Sequence, residues 1–483
     1  MLIKSLKPMM KNLLTCYLLL SLLCITPVNA ELPNLGDPTQ KDISPYQEYL
    51  MGKNFYKTLK ANLPFIDDLA INEYLDSLGQ KLVSQSDQPD NSFHFFILDI
   101  PSINAFAGPD AYIGIHTGLI LNAENESQLA GVLAHEISHV TQRHLARAMT
   151  ESSVSPAAMF ATILAGILLS TQSPQAGAAI LYGGSAAMMQ SQINFTRHNE
   201  HEADRIGIHL LRKANINPAG MAEFFGKLLK QADSNNVLSQ MEYLRTHPLN
   251  STRVAEAQHR IQADDKKLAA DSLDFQLTKA RIIVQTSTSL NELINHIGKL
   301  DAKTLTLASQ YTYAIALRRQ GNTEKSIRML NKLIRKHDHP WFQLDLANAY
   351  DINNQPDQAH AVLQKLALLY PNYLPVTIEY ALILNRLKQP EKAIEILKQQ
   401  LQRQEHPMVF QLLAQNYYAN KQITAALEAT SQQYELEGYL QLAAQQVEYA
   451  LKQTNLNPST RQRLISRKDT LLNKLGKEQS FSH

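Results

Sequence analysis

The sequence predicts a mainly α protein in two unlike parts: a helical domain with a small β-sheet, then an all-α solenoid. Three observations predict it. Residues 125–144 carry apolar side chains at helical spacing around a pair of histidines. Residues 93–116 alternate as short strands do. From about residue 270 the periodicity is helical throughout, and one pattern returns every 33 or 34 residues.

The chain has 483 residues, enough for two domains or more. Residues 1–30 read as a secretory signal. Lys4, Lys7 and Lys11 form the charged region, Leu13 to Ile25 the apolar core, and Val28-Asn29-Ala30 a small-residue cleavage site. The apolar run is short for a membrane span. Leu22-Leu23 before Cys24 is not what a lipoprotein site wants. Both cysteines, Cys16 and Cys24, lie in this segment, so the mature chain uses no disulfide despite an oxidising destination. The full chain has 46 basic and 44 acidic residues. Removing the signal's three Lys leaves 43 against 44, net −1, which argues against a nucleic-acid partner.

Residues 31–91 open with a Pro- and Asp-rich lead and turn helical, with Leu59, Leu63, Ile66, Leu69, Leu75, Leu78 and Leu82 as core. Phe93 to Leu98 reads as a strand. Ile103 to Ala107 is a second extended stretch, Gly108-Pro109-Asp110 a turn, and Ala111 to His116 a third strand. Asn104, Ala105, Phe106 and Ala107 form a candidate edge that pairs with an extended substrate; an ordinary half-buried strand pair is the alternative.

Next comes the helix 125–144. Asn125 suits its N-cap and Gln128 a capping-box partner. Leu129, Val132, Leu133, Ile137 and Val140 form the apolar stripe. His135 and His139 are four apart and stand one turn above each other on one face, a spacing that closes two imidazoles on one zinc ion. Glu136 lies beside them as a general base toward a zinc-held water. A metzincin would have Gly at position 142 and His at 145; the chain has Gln142 and Leu145. His144 is about 140° round a continuous helix from His139, which predicts an exposed or capping residue.

A carboxylate ligand must then come from elsewhere. Glu151 is nearest, but residues 152–199 hold no acid. The next acids are Glu200, Glu202 and Asp204. Glu200 and Asp204 share a helical face, and Glu202 points away. Glu200 as ligand, with Asp204 accepting from the free N–H of a bound histidine, supplies two layers of a metal site. His198 and His201 are rival ligands that do not share that face well. Between the motifs, residues 156–190 are the most apolar stretch of the mature chain. Ala157 to Leu169 and Ala176 to Met189 are too short to span a bilayer, and they read as buried helices, a lid, or a peripheral membrane contact. Pro218 to Gln231 is a further helix, followed by a loop at Ser234-Asn235-Asn236 and by His247-Pro248 with Arg253.

His135-Glu136-Ile137-Ser138-His139, followed at long range by Glu200-His201-Glu202-Ala203-Asp204-Arg205-Ile206-Gly207, resembles the gluzincin peptidases of the HtpX and CAAX-prenyl-protease class. The likeness covers about residues 45–265 and implies a zincin-like metalloprotease domain with one Zn2+ held by His135, His139 and Glu200, and Glu136 as catalytic base. The class has a similar Asn-Ala-Phe-Ala stretch before a glycine-rich turn, from which Pro109-Asp110-Ala111 departs. A His-Pro followed by Arg also recurs near this position. With its secretion signal and repeat tail, the chain is similar to a periplasmic branch of that class. This implies the periplasm of a Gram-negative bacterium, and as partners the outer-membrane β-barrel assembly machinery and outer-membrane protein substrates.

The tail carries the repeats. Ser326, Ala359, Ala393 and Ala426 are spaced 33, 34 and 33, the tetratricopeptide period, with small residues where two helices cross. Pro340, Pro371 and Pro407 punctuate the joints, and residues 270–305 form a bridging helix pair. The expected division is a signal over 1–30, a metalloprotease domain over 31–265, a helical bridge over 266–305 and a tetratricopeptide domain over 306–475, whose concave surface suits partners. Two functions follow: a secreted zinc endopeptidase with a docking solenoid and a chaperone-like role, or a non-proteolytic chaperone or adaptor with a latent zinc site. For His247, stiffened by Pro248, the expectation is a latch that takes the water's place on the zinc. The competing role is to stabilise the tetrahedral intermediate, with Arg253 as a second stabiliser.

Overall fold

The computed structural model describes residues 43–89, 92–151, 155–170, 186–233, 242–301, 304–454 and 456–480. The signal reading of 1–30, the lead at 31–42, the apolar run over 176–185 and the loop at 234–236 lie outside the described residues.

Helix α1 (Pro45–Asn62) starts where Pro45 follows a Ser44–Gln47 capping box. Helix α2 (Leu69–Val83) starts where Asp68 accepts from the N–H groups of Ala70 and Ile71. Three strands follow, β1 (His94–Leu98), β2 (Ala105–Ala107) and β3 (Tyr112–His116). Their order is β1-β3-β2, with β1 parallel and β2 antiparallel to β3. The second extended stretch is therefore an edge strand, three residues long rather than five. The turn before β3 is a short 3-10 turn in which Asp110 and Ala111 take φ of 55° and 57°. The left-handed conformation that glycine usually supplies is met here by non-glycine residues.

Helix α3 (Thr117–Asn122) leads into α4 (Glu126–Thr141), the helix of the paired histidines. Asn125 accepts from the Gln128 N–H as expected. The Gln128 amide reaches back one residue further than a capping box would, to the Glu124 N–H. The predicted run to residue 144 is broken. Arg143 has φ 52°, and α5 (His144–Glu151) starts afresh in a new direction. The helical-wheel placement of His144 fails at this break.

Helix α6 (Pro156–Ser170) lays Phe160, Ile163, Leu164, Ile167 and Leu168 against a cluster holding Phe55, Phe96 and Phe106. Among the described residues no helix is long and apolar enough to cross a membrane. Helix α7 (Ala186–Lys213) packs along α4, and α8 (Ala219–Asp233) closes the other side. The approach is close. A Cβ on Gly131 of α4 would stand 2.8 Å from the Met221 backbone of α8. A single turn, α9 (Tyr243–Thr246), and α10 (Ser251–His259) follow.

The bridge is α11 (Leu273–Thr286) and α12 (Leu290–Gly298). Five antiparallel helix pairs continue it: α13 (Leu307–Arg319) with α14 (Thr323–Lys336), α15 (Pro340–Ile352) with α16 (Pro356–Leu369), α17 (Leu374–Arg386) with α18 (Pro390–Leu401), α19 (Pro407–Ala419) with α20 (Ile423–Leu436), and α21 (Leu440–Leu451) with α22 (Pro458–Ser480). Ser326, Ala359, Ala393 and Ala426 are each fully buried at the helix crossings. Five residues before each, Gly321, Asn354, Lys388 and Lys421 turn the chain with φ of 93°, 58°, 57° and 57°. Pro340 and Pro407 open α15 and α19 at positions where a missing N–H costs nothing, and Pro371 stands just past the end of α16.

One apolar core runs from Ile66 through the bridge to Ala429. A buried polar knot joins the front of the molecule to the solenoid. Arg281 of α11 reaches Asp68 at 2.8 Å and Asp345 of α15 at 2.7 Å, and Arg318 adds a second contact to Asp345 at 2.9 Å.

Candidate metal centre

The break after α4 and the crossing of α4 with α7 bring together residues far apart in sequence. His135 Nε2 lies 3.0 Å from His139 Nε2, 3.2 Å from His247 Nδ1 and 3.3 Å from Glu200 Oε2. Glu200 Oε1 lies 3.4 Å from His139 Nε2 and 3.0 Å from His247 Nδ1. Four-coordinate zinc with bonds of about 2.0–2.1 Å would hold its ligands roughly 3.3–3.4 Å apart. The donor spacings therefore fit a metal ion. So does the charge. Glu136, Glu200 and Asp204 bring three carboxylates into the buried site against the one guanidinium of Arg253. The difference is two negative charges, matching a divalent cation. Glu136 Oε1 is buried with no hydrogen-bond partner among the described residues, as an atom that faces a substrate or an attacking water would be.

Asp204 stands one turn beyond Glu200, and its Oδ1 lies 2.9 Å from His135 Nδ1. A proton held on Nδ1 leaves Nε2 bare toward the donor set. Burial disfavours charge on His135, but Glu200 and Asp204 outweigh it and raise the imidazole to about 10, so the pocket favours a cation at Nε2, a second proton or a metal ion in its place. Burial drives His139 the other way, to about 3. Glu136 is pushed up by its burial, which His247 and His135 only partly offset. Its Oε1 is 3.4 Å from His247 Nε2.

His144 is a correction to the sequence reading. It is buried, with Nδ1 2.8 Å from His139 Nδ1 and Nε2 3.1 Å from Glu202 Oε2. Arg147 holds the same Glu202 oxygen at 2.9 Å. The turn at Arg143 swings His144 back under His139, so Glu202, which points away from the donor set, still acts on it through His144. No sequence periodicity reveals this, because the signal is the helix break itself. His201 pairs with Glu256 at 3.0 Å, away from the donor set.

Arg253 is fully engaged. Its Nε and Nη2 each lie 2.8 Å from Asp204, one Nη1 contact reaches Glu200 Oε2 at 2.8 Å and another the Pro248 carbonyl at 2.8 Å. The expectation of Arg253 as a stabiliser facing the reacting group does not fit these contacts. Tyr243, which the sequence reading passed over, stacks on His247 with centroids 4.6 Å apart.

The edge strand β2 packs against α4. Asn104 and Gly108 bond to β3 through the pairs His116 N–H to Asn104 O and Gly108 N–H to Tyr112 O. Alternation then turns the main-chain groups of Ile103, Ala105 and Ala107 outward. Asn104 and Phe106 of the predicted substrate edge point their main chain inward. Ala105 is fully buried and Ala107 half-buried, and the Ile103 carbonyl of the outward row accepts from the Tyr243 N–H.

The fold and this constellation define a metallopeptidase, and comparison with known proteins agrees. The sequence profile of Peptidase family M48 matches residues 70–261, and tetratricopeptide profiles match 308–339 and 352–416. The chain is 34% identical over 446 residues to the beta-barrel assembly-enhancing protease of Escherichia coli K12, covering 91% of each chain. It is 35% identical over 386 residues to the protein of that name in Yersinia pestis, covering 72% of this chain and 79% of the relative. Metalloprotease LoiP of Escherichia coli K12 is 30% identical over 175 residues, covering 34% of this chain and 61% of the relative. The chain belongs to peptidase family M48, in its tetratricopeptide-bearing branch with the beta-barrel assembly-enhancing proteases, and is a metal-dependent endopeptidase.

Proposed function

We propose that the protein is a zinc endopeptidase of the Gram-negative periplasm that acts on stalled or misassembled outer-membrane proteins during β-barrel assembly. The observation that carries the reading is the convergence of His135, His139 and Glu200 beside an unpartnered Glu136 carboxylate oxygen. In this reading His135, His139 and Glu200 hold one zinc. When bound, zinc supplies a Lewis acid and an acidified water. Glu136 takes the proton of the attacking water and returns it to the leaving nitrogen, a role that its raised pKa suits. Asp204 orients His135, and Arg253 clamps Asp204 and Glu200. His247 is the fourth donor that keeps the resting site closed.

Residues 31–265 form the peptidase domain, 266–305 the bridge and 306–475 the repeat domain that docks the β-barrel assembly machinery and its clients. The beta-barrel assembly names of the relatives support the substrate class. The test is Glu136→Gln in the full chain. Cleavage of an unfolded outer-membrane protein falls by about 10²–10⁴-fold while bound zinc stays at one per chain. Wild-type cleavage by the purified variant would sink the mechanism. Zinc retained at wild-type affinity by Glu200→Ala, but lost by Glu151→Ala, would sink the ligand set.

A further inference from the structure

A second cleft lies on the far side of α7 from the donor set. Relative to the face shared by Glu200 and Asp204, the residues Arg205, His209 and Lys213 stand about 120–160° round the helix, each four after the last. All three are exposed. The cleft that they line has a volume of about 680 Å³ and is bounded by the ends of α2 and α4 and by Arg260 beyond α10. None of His135, Glu136, His139, Glu200 or His247 lines it. One wall is tied in place by Gln88, whose amide donates to the Thr141 carbonyl at 3.1 Å.

The charge of the cleft is one-sided. Arg205, Arg212, Lys213 and Arg260 line it against a single carboxylate, Asp87. Arg212 is fixed in place, because its Nε and Nη2 each donate to Asp265 at 2.8 Å and Nη2 also reaches the Arg260 carbonyl at 3.1 Å. Its Nη1 makes no hydrogen bond among the described residues. Arg260 uses only Nη1, on Glu256 at 3.4 Å. Asp265 and Glu256 balance these two arginines, so the cations without an ion pair among the described residues are Arg205 and Lys213. The result is a set of N–H donors, one of them preorganised, that suits carboxylates, which a guanidinium grips with two parallel bonds.

The spacing selects the ligand. Arg205 to Lys213 covers roughly 12 Å of helix axis at about 1.5 Å per residue. An extended chain covers roughly 13 Å in four residues, so carboxylates at alternate positions fall in step with the three side chains. The site is also concave, which a strand of chain can enter and the flat surface of a bilayer cannot. We propose that this cleft anchors an acidic, extended segment of polypeptide, with Arg205 and Lys213 as its principal charge contacts and Arg212 as a fixed one. Anchoring behind α7 leaves the donor set free, so the site adds affinity and takes no part in bond cleavage. In the endopeptidase reading above, on which this use rests, the segment belongs to the unfolded substrate and lowers its KM.

The experiment uses the full-length, zinc-loaded Glu136→Gln protein, which binds without cleaving, and a labelled ten-residue peptide of alternating Glu and Ser, followed by fluorescence anisotropy. The expected result is that this peptide binds and its Gln–Ser counterpart does not. Arg205→Gln together with Lys213→Gln weakens binding about tenfold, with zinc content unchanged. Arg205→Glu together with Lys213→Glu exchanges the preference for a Lys–Ser peptide, which a misfolded variant could not do. With Glu136 intact, fusing the acidic stretch to an unfolded substrate lowers KM about tenfold at constant kcat. The paired Gln substitutions remove that gain and leave cleavage of the unfused substrate as it was. Equal binding of the Glu–Ser peptide by the parent and the paired Gln variant overturns the site. So does tighter binding of inorganic phosphate or of vesicles containing anionic lipid than of the peptide. Peptide binding at the cleft with no change in KM overturns its role in holding substrate. Failure of the Glu136-containing protein to cleave either substrate rejects the peptidase reading instead, and the anisotropy then decides the cleft by itself.

Discussion

At the scale of single residues, the site is two carboxylate–histidine layers rather than one. Asp204 backs His135, and Glu202 backs His139 through His144. Groups that orient a metal ligand typically contribute about 10–100-fold to affinity. His144→Ala should therefore weaken zinc by about that factor in a chelator competition, with the helix content unchanged; an unaltered affinity would show that His144 only fills space. His247 is tested by direction. If it closes the resting site, His247→Ala raises basal cleavage of a generic unfolded protein. A fall in cleavage at constant zinc would instead assign it to catalysis. The motif histidines are legible from their spacing, and Glu200 only from its place one turn before Asp204 taken together with that motif and the family resemblance. His144 was misread because helix geometry was extended across Arg143, where the backbone leaves the helix.

At the scale of elements, the solenoid turns show how a weak local signal becomes a fixed geometry. Gly321, Asn354, Lys388 and Lys421 occupy the same left-handed position in successive repeats. Lysine has a Cβ and resists that conformation by about 1 kcal/mol relative to glycine. Lys388→Gly and Lys421→Gly should each raise the urea midpoint by an amount equivalent to roughly 0.5–1 kcal/mol. A drop would mean that the lysine side chains make contacts worth more than the strain. The edge strand was legible as extended chain, but its length and covering were not. Register and burial depend on what packs against β2, and that includes Tyr243, whose N–H donates to the Ile103 carbonyl.

At the scale of the whole molecule, the apolar core and one polar knot make the two parts of the chain continuous. Asp345 is fully buried; burial alone would raise its pKa, but Arg281 and Arg318 outweigh it and hold the carboxyl below its usual range. A depressed carboxylate contributes its full stabilisation above the ordinary value of about 3.9. That contribution is lost as pH falls through the lower folded value. Unfolding followed from pH 7 downward should thus show the Asp345 contribution intact to about pH 4 and failing below it. Arg281→Met leaves Asp68 and Asp345 without their shared partner. Removal of one member of a buried pair costs about 3–5 kcal/mol, and the urea midpoint should fall accordingly. A loss confined to the solenoid, with the front of the molecule unfolding at its old midpoint, would show that the knot does not couple the two.

The sequence by itself determined the composition of the site and the class of the fold. A 3.6-residue period places His135, Glu136 and His139 on one turn, and a 34-residue period stacks helix pairs, because both follow from local geometry along the chain. The tertiary structure alone decided how distant segments meet. It set the turn that returns His144 to His139, the clamp of Arg253 on two carboxylates of α7, and the seating of Tyr243 on the β2 edge. The first spans five residues across a helix break, and the others span 49 to 140 residues of sequence. No periodicity encodes them, since they depend on how the packed faces of α4, α7 and α8 leave room for the segments between.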